Sequence, residues 1–265
     1  MPIRFTHKPG LVVYLTVGDP DLETSRRVAL AALDAGAEVL ELGVPFSDPL
    51  ADGPVIQAAS ERALLHHTNM GDVLALAREL RQARPQAGLV IFSYLNPILR
   101  YGLERFCAEA ESAGVDGVLA TDMIVEEATE YLEHLRRHHL APIFLVAPTS
   151  PDERLKKIAA VSEGFIYAIS RVGITGAQSS LASEAEPLVA RLRRYTVLPI
   201  AVGFGVSNAD HVAEIGQFAE AAVIGSAIVA NIEKVGRTEA PSSIARFIEG
   251  LRPSVPHAVA DPVSR

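Results

Sequence analysis

Residues 37–54 read Ala37-Glu-Val-Leu-Glu41-Leu-Gly43 followed by Val44-Pro-Phe-Ser-Asp-Pro-Leu-Ala-Asp-Gly-Pro54. The first part is a short apolar run ending on glycine; the second is a loop rich in Pro and Asp. Side chains alternate across a strand, so Val39, Glu41 and Gly43 share one face while Leu40 and Leu42 share the other. The leucines suit a layer beneath helices. Glu41 therefore points to the opposite side, near the C-terminal end of its strand.

The same reading extends in both directions. Strand patterns fall at Leu11–Val17, Ala37–Gly43, Gly88–Tyr94, Asp116–Thr121, Pro142–Ala147, Gly164–Ser170, Leu198–Gly203 and Ala221–Gly225. Amphipathic helical patterns lie between them, among them Leu22–Ala35, Leu103–Ala113 and Glu127–His138. Ser150-Pro-Asp-Glu153 carries a helix-start signature, with Ser150 as the expected N-cap. Eight βα units predict a parallel sheet closed into a single (βα)8 TIM barrel. An open doubly wound sheet also alternates, but Val17-Gly18-Asp19-Pro20-Asp21 lacks the Gly-x-Gly-x-x-Gly turn of that fold. Between Ala37 and Gly88 two helical patterns, about 55–65 and 73–83, occupy one interval, so an extended loop and an extra helix follow the second strand. In such a barrel that loop lies on the C-terminal face, where active sites form. Residues 1–250 read as one barrel domain, and the proline-punctuated 251–265 as a flexible tail.

An ionised carboxylate inside a barrel is costly unless paired, and desolvation raises its pKa. No strand pattern contains Lys or Arg, and only Arg171 stands near a strand end. Glu41 is thus expected to be a general acid/base with a pKa moved toward neutrality, a buried ion pair being the alternative. Asp48 and Asp52 in the following loop are either functional carboxylates or turn residues. His66-His67 and His138-His139 read as solvated surface pairs, and no metal site is expected.

Glycine clusters follow the last three strands: Gly173-Ile-Thr-Gly176-Ala, Gly203-Phe-Gly205 and Gly225-Ser226. Glycine allows close backbone approach, and a helix N-terminus offers amides and a positive dipole end. Each cluster alone could be a tight turn; the three together point to a phosphate site, as barrels place one after strands seven and eight.

The chain has 265 residues, 24 Lys+Arg against 32 Asp+Glu, and a net charge of −8. Apolar residues make up 49 % and charged ones 21 %, a globular composition rather than a disordered one. An acidic chain without a basic run argues against nucleic acid and anionic membranes. Cys107 is the one cysteine, which excludes an internal disulfide and a thiolate cluster. The opening residues hold no apolar leader segment, and no apolar run approaches the ~18 residues of a membrane span. A cytoplasmic protein is expected.

The segment from Leu40 to Pro54 resembles the signature of the tryptophan synthase alpha subunit family. The likeness extends to Leu15-Thr-Val-Gly-Asp-Pro20, Tyr94-Leu-Asn-Pro97, Ala113-Gly-Val-Asp-Gly117, Ser170-Arg-Val-Gly-Ile-Thr-Gly176, Gly203-Phe-Gly205 and Gly225-Ser-Ala227. The resemblance implies a (βα)8 barrel that cleaves indole-3-glycerol phosphate to indole and glyceraldehyde 3-phosphate. It implies no cofactor of the chain's own, and delivery of indole to a pyridoxal-phosphate beta subunit in an α2β2 complex for L-tryptophan synthesis. By the same resemblance Glu41 carries the proton transfers, and Asp52 accepts a hydrogen bond from the indole N–H. Tyr14, Tyr94, Leu119, Tyr167 and Phe204 line the indole slot, and Thr175 closes against Asp52. Gly176, Gly205, Gly225 and Ser226 cradle the phosphate; Asp48, Pro49 and Asn96 face the beta partner.

Two features depart from the family pattern. Only ten residues precede the first strand pattern, so the helix that covers the barrel's bottom is shortened or absent. Asp122-Met-Ile124 stands where the family often has Asp-Leu-Pro. A free-standing lyase would use the same catalytic residues, a silent barrel would have lost one, and a phosphate-binding isomerase would not need the Pro-Phe-Ser-Asp-Pro loop.

Overall fold

Strands and helices alternate along the computed structural model, which describes residues 3–169, 181–203 and 205–252. In chain order the elements are β1 (Gly10–Thr16), α1 (Leu22–Asp34), β2 (Val39–Gly43), α2 (Pro54–Leu65), α3 (Met70–Ala83), β3 (Gly88–Ser93) and α4 (Leu95–Tyr101). Then follow α5 (Leu103–Ser112), β4 (Gly117–Ala120), a 3-10 turn at Val125–Glu127, α6 (Thr129–Arg137), β5 (Ala141–Ile143), β6 (Leu145–Val146) and α7 (Asp152–Val161). The chain ends with β7 (Ile166–Ile169), α8 (Leu181–Leu192), β8 (Ile200–Gly203), α9 (Ala209–Ile215), β9 (Ala221–Ile224) and α10 (Ser226–Leu251).

All strand pairs are parallel, in the order β5-β4-β3-β2-β1-β9-β8-β7-β6. The single strand expected at 142–147 is split at Phe144: β5 pairs with β4 and β6 with β7. Pro142 has no N–H to give the ladder, which weakens pairing on this strand. Hydrogen bonds still cross the split, from Tyr167 N to Phe144 O (3.0 Å) and from Glu163 N to Pro142 O (2.9 Å). The sheet thereby closes as the (βα)8 barrel, and α2 with α3 fills the long interval after β2.

Two apolar layers follow from the alternation. Inward-facing Val12, Val39, Val90, Leu119, Ala201 and Ala221 fill the barrel. Outward-facing Leu11, Val13, Leu40, Leu42, Leu89 and Ile91 meet the helices through Val28, Ala32, Val73, Leu80 and Phe106. Each such large side chain taken from water contributes about 1.5–3 kcal/mol. Among the described residues 3–9, ahead of β1, there is no helix; Ile3 is buried and Phe5 lies edge-on to Phe165 at 6.0 Å.

Helix starts are set by side-chain caps. Asp21 accepts from Thr24 N to start α1, and Asn69 with Asp72 forms a reciprocal capping box at α3. The start of α7 differs from expectation. Its cap is Pro151, without a side-chain bond, because the Ser150 hydroxyl turns back to accept from Ala147 N at 3.0 Å. The remaining residues of the expected tail, 253–265, lie outside the described residues.

One buried ion pair ties the outer shell to the sheet. Asp116, 5 % exposed, receives Arg81 Nη2 at 2.5 Å and Leu89 N at 2.9 Å. Arg81 also donates to the carbonyls of Gly114, Pro85 and Ala87, so one guanidinium gathers the two loops that lead into β3 and β4. Replacing Arg81 with Ala should lower unfolding stability by about 3–5 kcal/mol, because it strips a buried carboxylate of its counter-charge. Denaturant titration measures this; a loss below about 1 kcal/mol would show the pair to be no more than a surface bridge.

Candidate active site

The top of the barrel is built from the last residues of its strands. Glu41 lies between Tyr14 of β1 and Val90 of β3 in the register, and is fully buried. Its face is set by the alternation with Leu40 and Leu42, which go outward into the helix layer. Neither carboxyl oxygen has a hydrogen-bond partner among the described residues. Burial alone pushes the Glu41 pKa up to about 8. The ion-pair alternative finds no cation among the described residues to support it, and Arg171 lies outside them.

Two glycines make room for tyrosines around this acid. A Cβ on Gly43 would collide with the Tyr14 hydroxyl, and one on Gly203 with the Tyr167 hydroxyl. Glycine at these strand ends thus lets two phenols lie across the barrel mouth. The Tyr14 hydroxyl pairs with Thr16 Oγ1 at 3.1 Å, and its ring meets Phe92 edge-on at 5.1 Å. Burial raises the pKa of both tyrosines, with the neighbouring carboxylates adding to it.

Asp52 arrives on the loop between β2 and α2. Short turns shape this loop, Leu50 N to Asp48 O (2.9 Å) and Asp52 N to Pro49 O (3.0 Å). Pro54 at the first position of α2 fixes the exit, and the Gln57 amide holds Asp52 O at 2.8 Å. Arg62, further along α2, grips buried Asp19 through two bonds of 2.7 and 2.9 Å, which seats the helix on the barrel rim. Burial lifts the Asp52 pKa to about 6, against which a hydrogen bond from Tyr94 acts. At neutral pH the pair therefore divides: Glu41 holds its proton while Asp52 is an anion.

A cavity of about 340 Å³ joins these groups to the glycines opposite. Tyr14, Glu41, Asp52, Tyr167, Gly205, Gly225 and Ser226 all line it. Ser226 is the first residue of α10, whose opening segment runs to the kink at Gly236, so a helix N-terminus faces the cavity. Leu119 is not among the residues that line it; fully buried, it packs with the inward-facing apolar side chains of the barrel. Tyr94 stands behind Asp52 rather than in the cavity wall. Thr175, Gly176 and Phe204 lie outside the described residues. Phe92, Val55, Ile56 and Val223 are additional lining residues. Phe92 and Val223 were legible from strand parity, since Val90 and Ala221 on the same faces point inward. Val55 and Ile56 follow from Pro54 starting a helix over the barrel mouth.

Asp48 and Asn96 share a separate groove of about 480 Å³ with Phe46, Arg100 and Tyr101, and Pro49 borders the next hollow. Leu50 beside them is 94 % exposed. Among the described residues no helix is long and apolar enough to cross a membrane.

Comparison with known proteins bears on all but the chain's ends. The family model described as "Tryptophan synthase alpha chain" matches residues 3–252. The protein named tryptophan synthase alpha chain from Methylococcus capsulatus is 49 % identical over 87 % of this chain and 86 % of its own length. That from Solibacter usitatus is 47 % identical over 88 % and 86 %. Among solved structures, a chain of the tryptophan synthase α2β2 complex of Pyrococcus furiosus superposes with TM-score 0.86 at 40 % identity, covering 92 % of this chain and 98 % of that one. A chain of Mycobacterium tuberculosis tryptophan synthase gives 0.84 at 36 %, covering 92 % and 91 %.

A buried acid with a raised pKa leaves a thermodynamic signature. The unfolded chain releases the Glu41 proton near 4.5 and the folded chain near 8, so stability present below the first value is lost as pH rises through the second. Glu41→Gln does not titrate. Relative to wild type it should gain about 3–5 kcal/mol of unfolding stability between pH 4.5 and 9, an upper range set by the size of the shift. Paired denaturant titrations read the difference, and a stability gap that stays constant across that range would rule out a buried neutral Glu41.

Proposed function

This chain belongs to the tryptophan synthase alpha chain family, a carbon–carbon lyase family acting on indole-3-glycerol phosphate, and on that basis we propose which of its residues do the chemistry. Glu41 in its protonated form donates to C3 of the indole ring, leaving positive charge spread toward the ring nitrogen. The Asp52 carboxylate accepts the indole N–H hydrogen bond and offsets that charge. Glu41, now ionised, takes the proton of the adjoining glycerol hydroxyl. The C3–carbinol bond breaks, its electrons return to the ring, and indole and glyceraldehyde 3-phosphate result. A pKa of about 8 suits one group to both transfers, since neither protonation state is far from neutrality. The observation that carries this reading is the unpartnered, fully buried Glu41 in a cavity it shares with Asp52.

The phenyl and aliphatic groups of Tyr14, Phe92, Ile56 and Val223 give the indole ring its slot. Gly205, Gly225 and Ser226 hold the phosphate through backbone amides and the α10 N-terminus, with Gly176, outside the described residues, completing the cradle. The chemistry needs protons and a hydrogen-bond acceptor only, and pyridoxal phosphate belongs to the beta partner. The groove at Asp48 and Asn96, with exposed Leu50, faces that beta subunit in an α2β2 complex of the kind formed by the Pyrococcus furiosus relative. We place the reaction in the cytoplasm, residues 1–250 forming one barrel domain. A free-standing lyase would show no rise in turnover on adding a beta subunit, whereas the complex predicts a large one.

Glu41→Gln should lower turnover of indole-3-glycerol phosphate by at least ~100-fold, about 3 kcal/mol of transition-state stabilisation, with substrate affinity largely kept. Near-normal turnover would assign the proton transfers elsewhere. Gly205 has φ +96°, so Gly205→Leu is strained as well as bulky. Calorimetry should show it weakening phosphorylated ligands far more than free indole; equal losses would remove Gly205 from the phosphate cradle.

A further inference from the structure

We infer that Arg62 is a positioning residue for the substrate as a whole: from outside the cavity it sets the span between the indole slot, built on α2, and the phosphate cradle, built on α10. The inference rests on the assignment of indole to the α2 side and phosphate to the α10 side, and it adds what holds the two at a fixed separation.

The two helices are built alike. Each begins at the cavity, α2 with Val55 and α10 with Ser226 in its wall. Two turns further on, each carries a charge, Arg62 on α2 and Glu233 on α10. Between wall and charge stand Ala59 and Val229, both buried. The spacings 55–59–62 and 226–229–233 each keep to one face of a helix. Ala59 and Val229 belong to one apolar cluster with Tyr14 of β1, so the two stripes meet. Beyond that contact Arg62 Nη1 donates to Glu233 Oε1 at 2.9 Å. This bond lies roughly 10 Å along each helix from its cavity end, too far for either side chain to touch the substrate.

Arg62 does more than bridge the two helices. Its Nε and Nη2 take both oxygens of Asp19 at 2.7 and 2.9 Å, a carboxylate 4 % exposed in the loop after β1. One planar guanidinium thereby joins three elements, and a fork on a carboxylate fixes direction as well as distance. The apolar contact of Ala59 with Val229 is non-directional and fixes no register between the helices. Among the described residues, the side-chain hydrogen bonds that leave α2 all come from Arg62, apart from that of Gln57 to the loop ahead of it. The loop after β1 is itself backed by Thr68, which fills the space a Cβ on Gly18 would need. A ligand carrying both groups on one chain gains from the spacing of their two sites, and either group alone does not. That difference separates a residue that sets a span from one that only adds stability.

The test compares dissociation constants of the full chain for indole, for glycerol phosphate and for indole-3-propyl phosphate, which joins the two groups but lacks the hydroxyl that cleavage needs. Arg62→Met should weaken the joined ligand by about tenfold or more and leave each fragment within about twofold. Because Arg62→Met alone strands the Asp19 charge, the combination of Arg62→Met with Asp19→Asn is measured beside it and should show the same selective loss. Glu233→Gln leaves Asp19 paired and should cost the joined ligand alone about twofold to threefold, the scale of one exposed ion pair. A loss shared equally by all three ligands would mark an ordinary structural bridge, and an unchanged joined ligand in the combined variant would remove Arg62 from the span. Either result overturns the inference. If the wild type binds indole and glycerol phosphate without competition from the joined ligand, the assignment of the cavity itself fails, whatever Arg62 does.

Discussion

Everything at the mouth of this barrel depends on one unfavourable placement, a carboxyl buried at the end of β2 with no hydrogen bond and no counter-ion among the described residues. Folding would ordinarily avoid it, because a charge there has lost its water and gained nothing in return. The group escapes by keeping its proton. In the proposed reaction that escape is also its use, since an acid with a pKa near 8 is still protonated when substrate arrives at neutral pH, and its conjugate base is strong enough to take a proton back. The chain gives up stability above neutrality to hold a proton donor inside an apolar wall.

The second carboxylate is raised less because its surroundings differ in kind. Asp52 sits on a loop with partial exposure and a phenolic donor, whereas Glu41 sits on a strand within the wall. Two carboxyl groups lining one cavity are thereby separated by about two pKa units, enough for one to act as acid while the other serves as anion. The glycines at 43 and 203 belong to the same design: by yielding their Cβ space to Tyr14 and Tyr167 they let two phenol rings share the cavity wall with Glu41.

Much of this was legible in the chain itself. Period-two alternation put Glu41 inside while its leucine neighbours went outside, and regular βα spacing implied closure of the sheet. The same parity extends to Phe92 and Val223, which the sequence reading did not name. What parity cannot report is which inward residues reach the cavity. Leu119 faces inward and pairs in register with Phe92, yet Phe92 lines the cavity and Leu119 does not. Nor does a local signature decide between two nearby acceptors: Ser150 could cap α7 or close the turn at Ala147, and tertiary contacts of its carbonyl with Arg191 accompany the second choice. The Tyr94–Ala51 bond joins residues 43 positions apart, and only the barrel's curvature, bringing the end of β3 against the loop after β2, reveals it.

The need to keep Glu41 neutral also explains how the opposite end of the cavity is built. A phosphate ester is most simply bound by Lys or Arg, yet a cation reaching into a cavity of about 340 Å³ would stand close enough to stabilise the Glu41 anion and draw its pKa down. Among the described residues no strand of the barrel carries Lys or Arg. Backbone amides at Gly205 and Gly225 and the start of α10 offer an anion partial positive charge that is directional and fades within a turn of helix. Such a field grips a phosphate at contact range while barely acting across the cavity. On the proposed mechanism, the exclusion of side-chain cations from the strands serves both ends of the substrate at once: it leaves the acid its proton and hands the anion to the backbone, in a protein whose net charge of −8 would otherwise repel it.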